Sequence, residues 1–200
     1  MKSILVYGDS NTWGLNPING ERYNENIRYP RVLEKLLNER YRVIEEGLCG
    51  RTTIYSDYNR VGRPAIDFID VLLESHNPDY LVIMLGTNDY KISNARSLDD
   101  VRSAMERLII AIRRVYNNRI VLISPIYLDK NIKALDSDFD DLSYFLSINA
   151  KKVYKDLADK YELNFIDASL FSTFGSDGEH MTKSSHIRLA NAIKDVILEL

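Results

Sequence analysis

Apolar and polar positions along the chain follow two periods. Five short runs read as strands: Ser3–Tyr7, Arg42–Glu46, Tyr80–Leu85, Ile120–Ser124 and Asn164–Asp167. The first, third and fourth are almost wholly apolar, as strands covered on both faces must be. Between them apolar residues recur at helical spacing. Val32, Leu33, Leu36 and Leu37 form one stripe. Ile66, Ile69, Leu72 and Leu73 form a second, behind Pro64, a residue suited to a helix's first turn. Val101, Met105, Leu108, Ile109 and Ile112 form a third, with Ser97 and Asp100 spaced as a capping box ahead of it. Leu142, Phe145, Leu146, Val153 and Leu157 predict a fourth helix, and Ile187, Ala190, Ile193 and Ile197 a closing one.

Strand and helix alternate, which predicts a parallel sheet with helices on both faces, joined by right-handed crossovers. The expected fold is α/β: a three-layer α/β/α sandwich, flavodoxin-like, with five strands in the order 2-1-3-4-5. Residues 1–200 are expected to form one domain, without internal repeat or Pro/Gly-rich linker. The connection Pro125–Asp141 is long and carries Asp136, Asp138, Asp140 and Asp141. It reads either as a lid or interface piece, or as a solvated acidic loop leading into a helix.

Composition narrows the partners. The 26 Lys and Arg against 29 Asp and Glu give a net charge of −3, which lacks the basic excess that nucleic-acid phosphates demand. The single cysteine, Cys49, rules out an internal disulfide and a Cys-based zinc site. No stretch approaches the ~20 apolar residues of a membrane span. The opening apolar run is short for a secretory leader and lacks a small-residue cleavage site, so no membrane association and a cytoplasmic location are expected.

In open parallel sheets, sites form beyond the carboxyl ends of the strands. Four polar, Gly-containing turns fall there: Gly8–Gly14 after the first strand, Gly47–Thr53 after the second, Gly86–Asp89 after the third, and Asp177–His180 past the fifth. Ser10 sits at a strand-to-helix junction, where a serine serves as a cap or, given a base, as a nucleophile. His180 is the candidate base, because imidazole titrates near neutrality. Asp177, three residues earlier, is spaced to hold the ring's tautomer and stabilise the imidazolium. His186 reads as a packing or surface residue near the start of the last helix, and His76 as a cation at a helix C-terminus. Candidate oxyanion donors are the Ser10 N–H, the Gly50 N–H and the Asn88 side-chain amide.

Two other classes stay open on these residues. One is a nucleotide- or flavin-binding module, which the architecture allows. Gly8–Gly14, however, holds Asp9 and no Lys or Arg. The other is a metal-dependent phosphoesterase using Asp9, Asn88, Asp89, Asp177 and His180. Only Asp177 and His180 have local ligand spacing.

Taken together, the four turns resemble the blocks of the SGNH (GDSL-like) hydrolases over the whole chain. Gly8–Gly14, Val43–Thr53 and Ile83–Asp89 look most like the arylesterase/acyltransferase branch. The resemblance implies a flavodoxin-like sandwich, no cofactor, and a Ser10–His180–Asp177 triad with Ser10, Gly50 and Asn88 as the oxyanion hole. It implies a small-molecule ester substrate, small or aryl, with acyl transfer to alcohols or peroxide in some members and assembly into homo-oligomers in several. Carbohydrate acetyl esterases, thioesterases and lysophospholipases of the same family are the neighbouring possibilities. Three positions depart from the family pattern: Asn11 where Leu is frequent, Cys49 where Ser is common, and Glu179 where the residue is usually apolar. Cys49 reads as a packing thiol rather than a nucleophile, and an acidic Glu179 facing the pocket would disfavour anionic substrates. Trp13, Cys49, Tyr127 and Glu179 are the candidate substrate-binding residues. Arg51 is expected to brace the oxyanion loop or reach a neighbouring subunit.

Overall fold

Alternation along the strands assigns the two sides of the sheet. The computed structural model describes every residue except 39. Its strands are β1 (Lys2–Gly8), β2 (Tyr41–Gly47), β3 (Tyr80–Met84), β4 (Arg119–Ser124) and β5 (Asn164–Asp167). They form one parallel sheet in the order β2-β1-β3-β4-β5. Leu5 and Tyr7 of β1, Leu81 and Ile83 of β3, and Ile120 and Leu122 of β4 point to one side. Ile4 and Val6, Val82 and Met84, and Val121 and Ile123 point to the other. Both sets are buried, which is why these three strands read as continuous apolar runs.

The helices are α1 (Ser10–Trp13), α2 (Tyr29–Leu36), α3 (Ile69–His76), α4 (Leu98–Val115), α5 (Ile132–Leu135), α6 (Asp141–Lys160) and α7 (Lys183–Glu199). α3, α4 and α6 cover the Leu5 side through Ile69, Met105, Leu108, Leu146 and Leu157. α2 and α7 cover the Ile4 side through Leu33, Leu189 and Ile193. The fold is therefore the three-layer α/β sandwich with the strand order expected.

Local details differ where packing overrides the sequence pattern. The second stripe does not form one helix: Ile66 lies in a separate 3₁₀ turn, Ala65–Asp67, and α3 begins at Ile69. Phe145 and Ile187 lie on predicted stripes but are exposed. Ahead of α4, the Ser97 hydroxyl accepts the Asp100 N–H at 3.0 Å, while the Asp100 carboxylate takes the N–H of Arg96. A reciprocal capping box lies instead at α6, between Asp140 and Ser143.

The long connection after β4 is tied to the rest of the fold at several points. It contains α5, anchored by the buried Ile132. The Asp129 N–H donates to Gly178 O at 2.8 Å, and the Ile92 N–H donates to Asp138 O at 2.9 Å. The acidic loop is thereby tied to the turn after β5 and to the turn after β3. Among the described residues no helix is long and apolar enough to cross a membrane.

Candidate active site

The carboxyl ends of β1, β2 and β3 open into a cleft of about 830 Å³ lined by Ser10, Cys49, Gly50, Asn88, Glu179 and His180. The first strand delivers Ser10. At its end Asp9 caps α1, its carboxylate accepting the Asn11 N–H at 2.9 Å, so Ser10 becomes the first helical residue. α1 packs directly on the neighbouring strand end. A Cβ at Gly47 would collide with the backbone nitrogen of Trp13, so glycine is needed there.

The turn after β5 delivers the histidine. His180 Nε2 lies 2.8 Å from Ser10 Oγ, across 170 positions of sequence, and Nδ1 lies 2.7 Å from Asp177 Oδ2. The other Asp177 oxygen accepts the N–H groups of Glu179 and His180 at 3.1 and 3.0 Å. Half-burial opposes the Asp177 charge, yet the bonds from the His180 ring and these N–H groups hold its pKa below the usual value. For His180, burial opposes the imidazolium, but the Asp177 hydrogen bond and the carboxylates of Glu179, Asp177 and Asp9 outweigh it and raise its pKa. Such a chain of contacts can draw a proton from the Ser10 hydroxyl while the carboxylate fixes the ring.

Asn11 joins the two halves of this relay. Its Oδ1 accepts the Met181 N–H at 2.8 Å and its Nδ2 donates to Glu179 O at 3.2 Å. The side chain that departs from the family pattern thus straps α1 to the histidine turn.

Potential donors surround Ser10. The Ser10 N–H lies at the first position of α1, where no intrahelical acceptor exists. Gly50 adopts φ +80°, a left-handed conformation, and among the described residues its N–H makes no hydrogen bond. Asn88 Nδ2 donates one hydrogen to Arg51 O at 3.1 Å, which fixes the amide and leaves the second hydrogen.

Arg51 ties the loop that carries Gly50 to β1 and β2. Its guanidinium stacks on Tyr7 at 4.3 Å and donates from Nη1 to Gly8 O at 2.9 Å and to Glu46 O. Asp89 adds a second tie, accepting the Thr53 N–H at 2.8 Å and its hydroxyl. Burial pushes Asp89 up to about 7, against the Thr53 bonds, and pushes Asp9 up to about 6.

These contacts bear on the other two readings. The N-terminus of α1, where a phosphate would sit, is occupied by the Asp9 carboxylate. The Asp9 carboxylate accepts the Asn11 N–H, the Asp89 carboxylate accepts the Thr53 N–H and hydroxyl, and neither hydrogen-bonds to His180. Among the described residues no three His, Cys, Asp or Glu side chains cluster as a metal site.

The substrate-binding expectations divide. Cys49 and Glu179 line the cleft. Burial pushes the Cys49 thiol up, so it is protonated near neutrality, consistent with a non-nucleophilic role. Trp13 and Tyr127 do not line it. The Trp13 ring is covered by the Arg22 guanidinium at 5.3 Å, and the Tyr127 ring by the Lys151 ammonium at 5.3 Å. Both follow strand ends, but neither is among the residues that line the cleft. The sequence reading missed Arg60, Lys91, Asp136 and Asp138 as cleft residues. The acidic run in the 125–141 connection hinted at Asp136 and Asp138, and no sequence signal marked Arg60 or Lys91.

Comparison with known proteins accords with this geometry. The sequence profile of the GDSL-like Lipase/Acylhydrolase family matches residues 6–187. The chain belongs to that family. No curated protein matched in sequence. Among solved structures, this acylhydrolase is similar to a carbohydrate acetylesterase family member from Sinorhizobium meliloti. The two share 30% identity over 100% of this chain and 98% of the other, with a TM-score of 0.93. It is also similar to the carbohydrate acetylesterase Est24 from the same organism, at 30% identity over 100% and 99% of the two chains and a TM-score of 0.91. The inhibitor-bound M. smegmatis aryl esterase matches at 28% identity over 100% of both chains, with a TM-score of 0.91.

Proposed function

We propose that this chain is a serine carboxylesterase that cleaves small esters through an acyl-enzyme. The observation that carries the reading is the continuous contact Ser10 Oγ–His180 Nε2–His180 Nδ1–Asp177, at 2.8 and 2.7 Å. Ser10 attacks the ester carbonyl while His180 takes its proton at Nε2. The tetrahedral oxyanion is met by the Ser10 and Gly50 N–H groups and the Asn88 amide. Collapse expels the alcohol, to which His180 returns the proton. A water then repeats the sequence with His180 as base, releasing the acid and restoring Ser10. An alcohol in place of that water gives acyl transfer by the same steps.

The cleft walls favour a polar alcohol portion over an extended hydrocarbon. Beyond the reacting residues the lining is mainly Ser, Thr, Asn, Asp, Arg and Lys. Acetylated carbohydrates suit this lining, in keeping with the Sinorhizobium neighbours. Aryl esters are the second reading, favoured by the M. smegmatis neighbour. The test is a panel of p-nitrophenyl acyl esters and acetylated sugars, assayed with parent and Ser10→Ala, with and without a competing alcohol. We expect activity on short acyl groups and none in Ser10→Ala. Retained activity in that variant removes Ser10 from the mechanism.

A further inference from the structure

His180 Nδ1 faces two carboxylates. Asp177 Oδ2 lies at 2.7 Å and Glu179 Oε1 at 3.5 Å. We propose that Glu179 is a second carboxylate partner of His180, supporting the imidazolium alongside Asp177 during acyl transfer. The inference rests on the function proposed above and adds a positioning residue to it.

The backbone aims Glu179 at the ring. Its N–H is held by Asp177 Oδ1 at 3.1 Å and its carbonyl by Asn11 Nδ2 at 3.2 Å. The root of the side chain is thus fixed on both sides, one residue before the histidine. Among the described residues no donor hydrogen-bonds to the Glu179 carboxylate, so His180 is its nearest positive partner. The side chain of Glu179 is 15% exposed, against 30% for Asp177. The more distant carboxylate is therefore the less hydrated, and its field at the ring is less screened.

Other charges face the pair from several elements. Asp136 approaches from the connection after α5, Lys91 from the turn after β3, Asp177 from the relay and Asp9 from the cap of α1. Lys91 is already bound to Asp138 at 2.7 Å. Burial, with Asp136 and Asp177, pushes Glu179 up to about 7, against the pull of His180 and Lys91. Above that pH the Glu179 carboxylate already faces the ring that becomes positive when Nε2 takes the Ser10 proton.

The test compares pH profiles of kcat/KM for p-nitrophenyl acetate in the parent, Glu179→Gln, Asp177→Ala and the double variant, with a thermal melt on each. Removing an anion beside the ring makes the imidazolium less stable. The acid limb of Glu179→Gln should therefore move to lower pH by about half a unit or more. Asp177→Ala should keep at least ~10-fold more kcat/KM than the double variant, because Glu179 then serves alone. A Glu179→Gln limb superimposed on the parent's, or equal activities in Asp177→Ala and the double variant, overturns the proposal. Should Asp177→Ala lose its melting transition, the Glu179→Gln limb alone decides. His180→Ala with undiminished esterase activity overturns the underlying mechanism instead.

Discussion

Asn11 Oδ1 accepts the N–H of Met181 at 2.8 Å, closing a bond between residues 170 positions apart. The same amide donates to Glu179 O. The strap therefore holds the helix that carries Ser10 and the turn that carries His180 in register, without bonding to either of those side chains. Asn11→Ala should lower kcat for p-nitrophenyl acetate by ~10²-fold, since a misplacement of ~1 Å costs about that much, with KM changed far less. A kcat within twofold of the parent would show that the turn holds its position without the strap.

Asn88 is fixed at one hydrogen by Arg51 O and offers the other to the cleft. Asn88→Ala should reduce kcat by ~10²-fold or more. Stability should fall by only ~1 kcal/mol, for the lost bond to Arg51. Steady-state kinetics beside a denaturant titration separates the two effects. An unchanged kcat would mean that the amide does not meet the oxyanion.

The pH dependence of kcat/KM has a definite sign. His180 must be neutral to accept the Ser10 proton. Burial opposes the charged ring, but the Asp177 hydrogen bond and the surrounding carboxylates prevail and raise its pKa above 6.5. Activity should therefore rise with pH through a limb whose midpoint lies above that value. A midpoint below it would contradict the electrostatic picture of the relay.

Asp89 links stability to pH in the opposite sense from a surface ion pair. Burial raises its carboxyl from 3.8 to about 7 in the folded chain. The folded state thus holds the proton more tightly than the unfolded state does. The associated stability is fully present below about 4 and is lost as pH rises through about 7. Asp89→Asn removes this titration while keeping an acceptor for Thr53. The stability of Asp89→Asn relative to parent should therefore grow between these limits and level off above them. Urea titrations at several pH values measure it, and a pH-independent difference would contradict the raised pKa.

The strands were legible because β1, β3 and β4 are buried on both faces, which leaves almost no polar residue within them. β2, at the sheet edge, was bounded as well as β1 although Glu45 and Glu46 are only half-buried and Glu45 pairs with Arg28 at 2.9 Å. Helical stripes overstated burial at Phe145 and Ile187, because periodicity gives a face but not the arc the neighbouring layer covers. Local spacing pointed to the contact between Asp177 and His180, and places at strand ends to the shared cleft of Ser10, Gly50 and Asn88. Trp13 and Tyr127 do not line the cleft, because position after a strand does not fix where a side chain turns. The far wall, Lys91 with Asp138 and Arg60 with Asp57, comes from loops whose approach depends on tertiary contacts.

The central claim is that the Ser10 hydroxyl is the nucleophile activated by His180. Its most direct test is intact-mass and peptide-mapping analysis after treatment with a fluorophosphonate. The account predicts one adduct per chain, on Ser10, with full loss of esterase activity, no adduct in Ser10→Ala and greatly slowed labelling in His180→Ala. An adduct on another residue, or rapid labelling of Ser10 without His180, would contradict it.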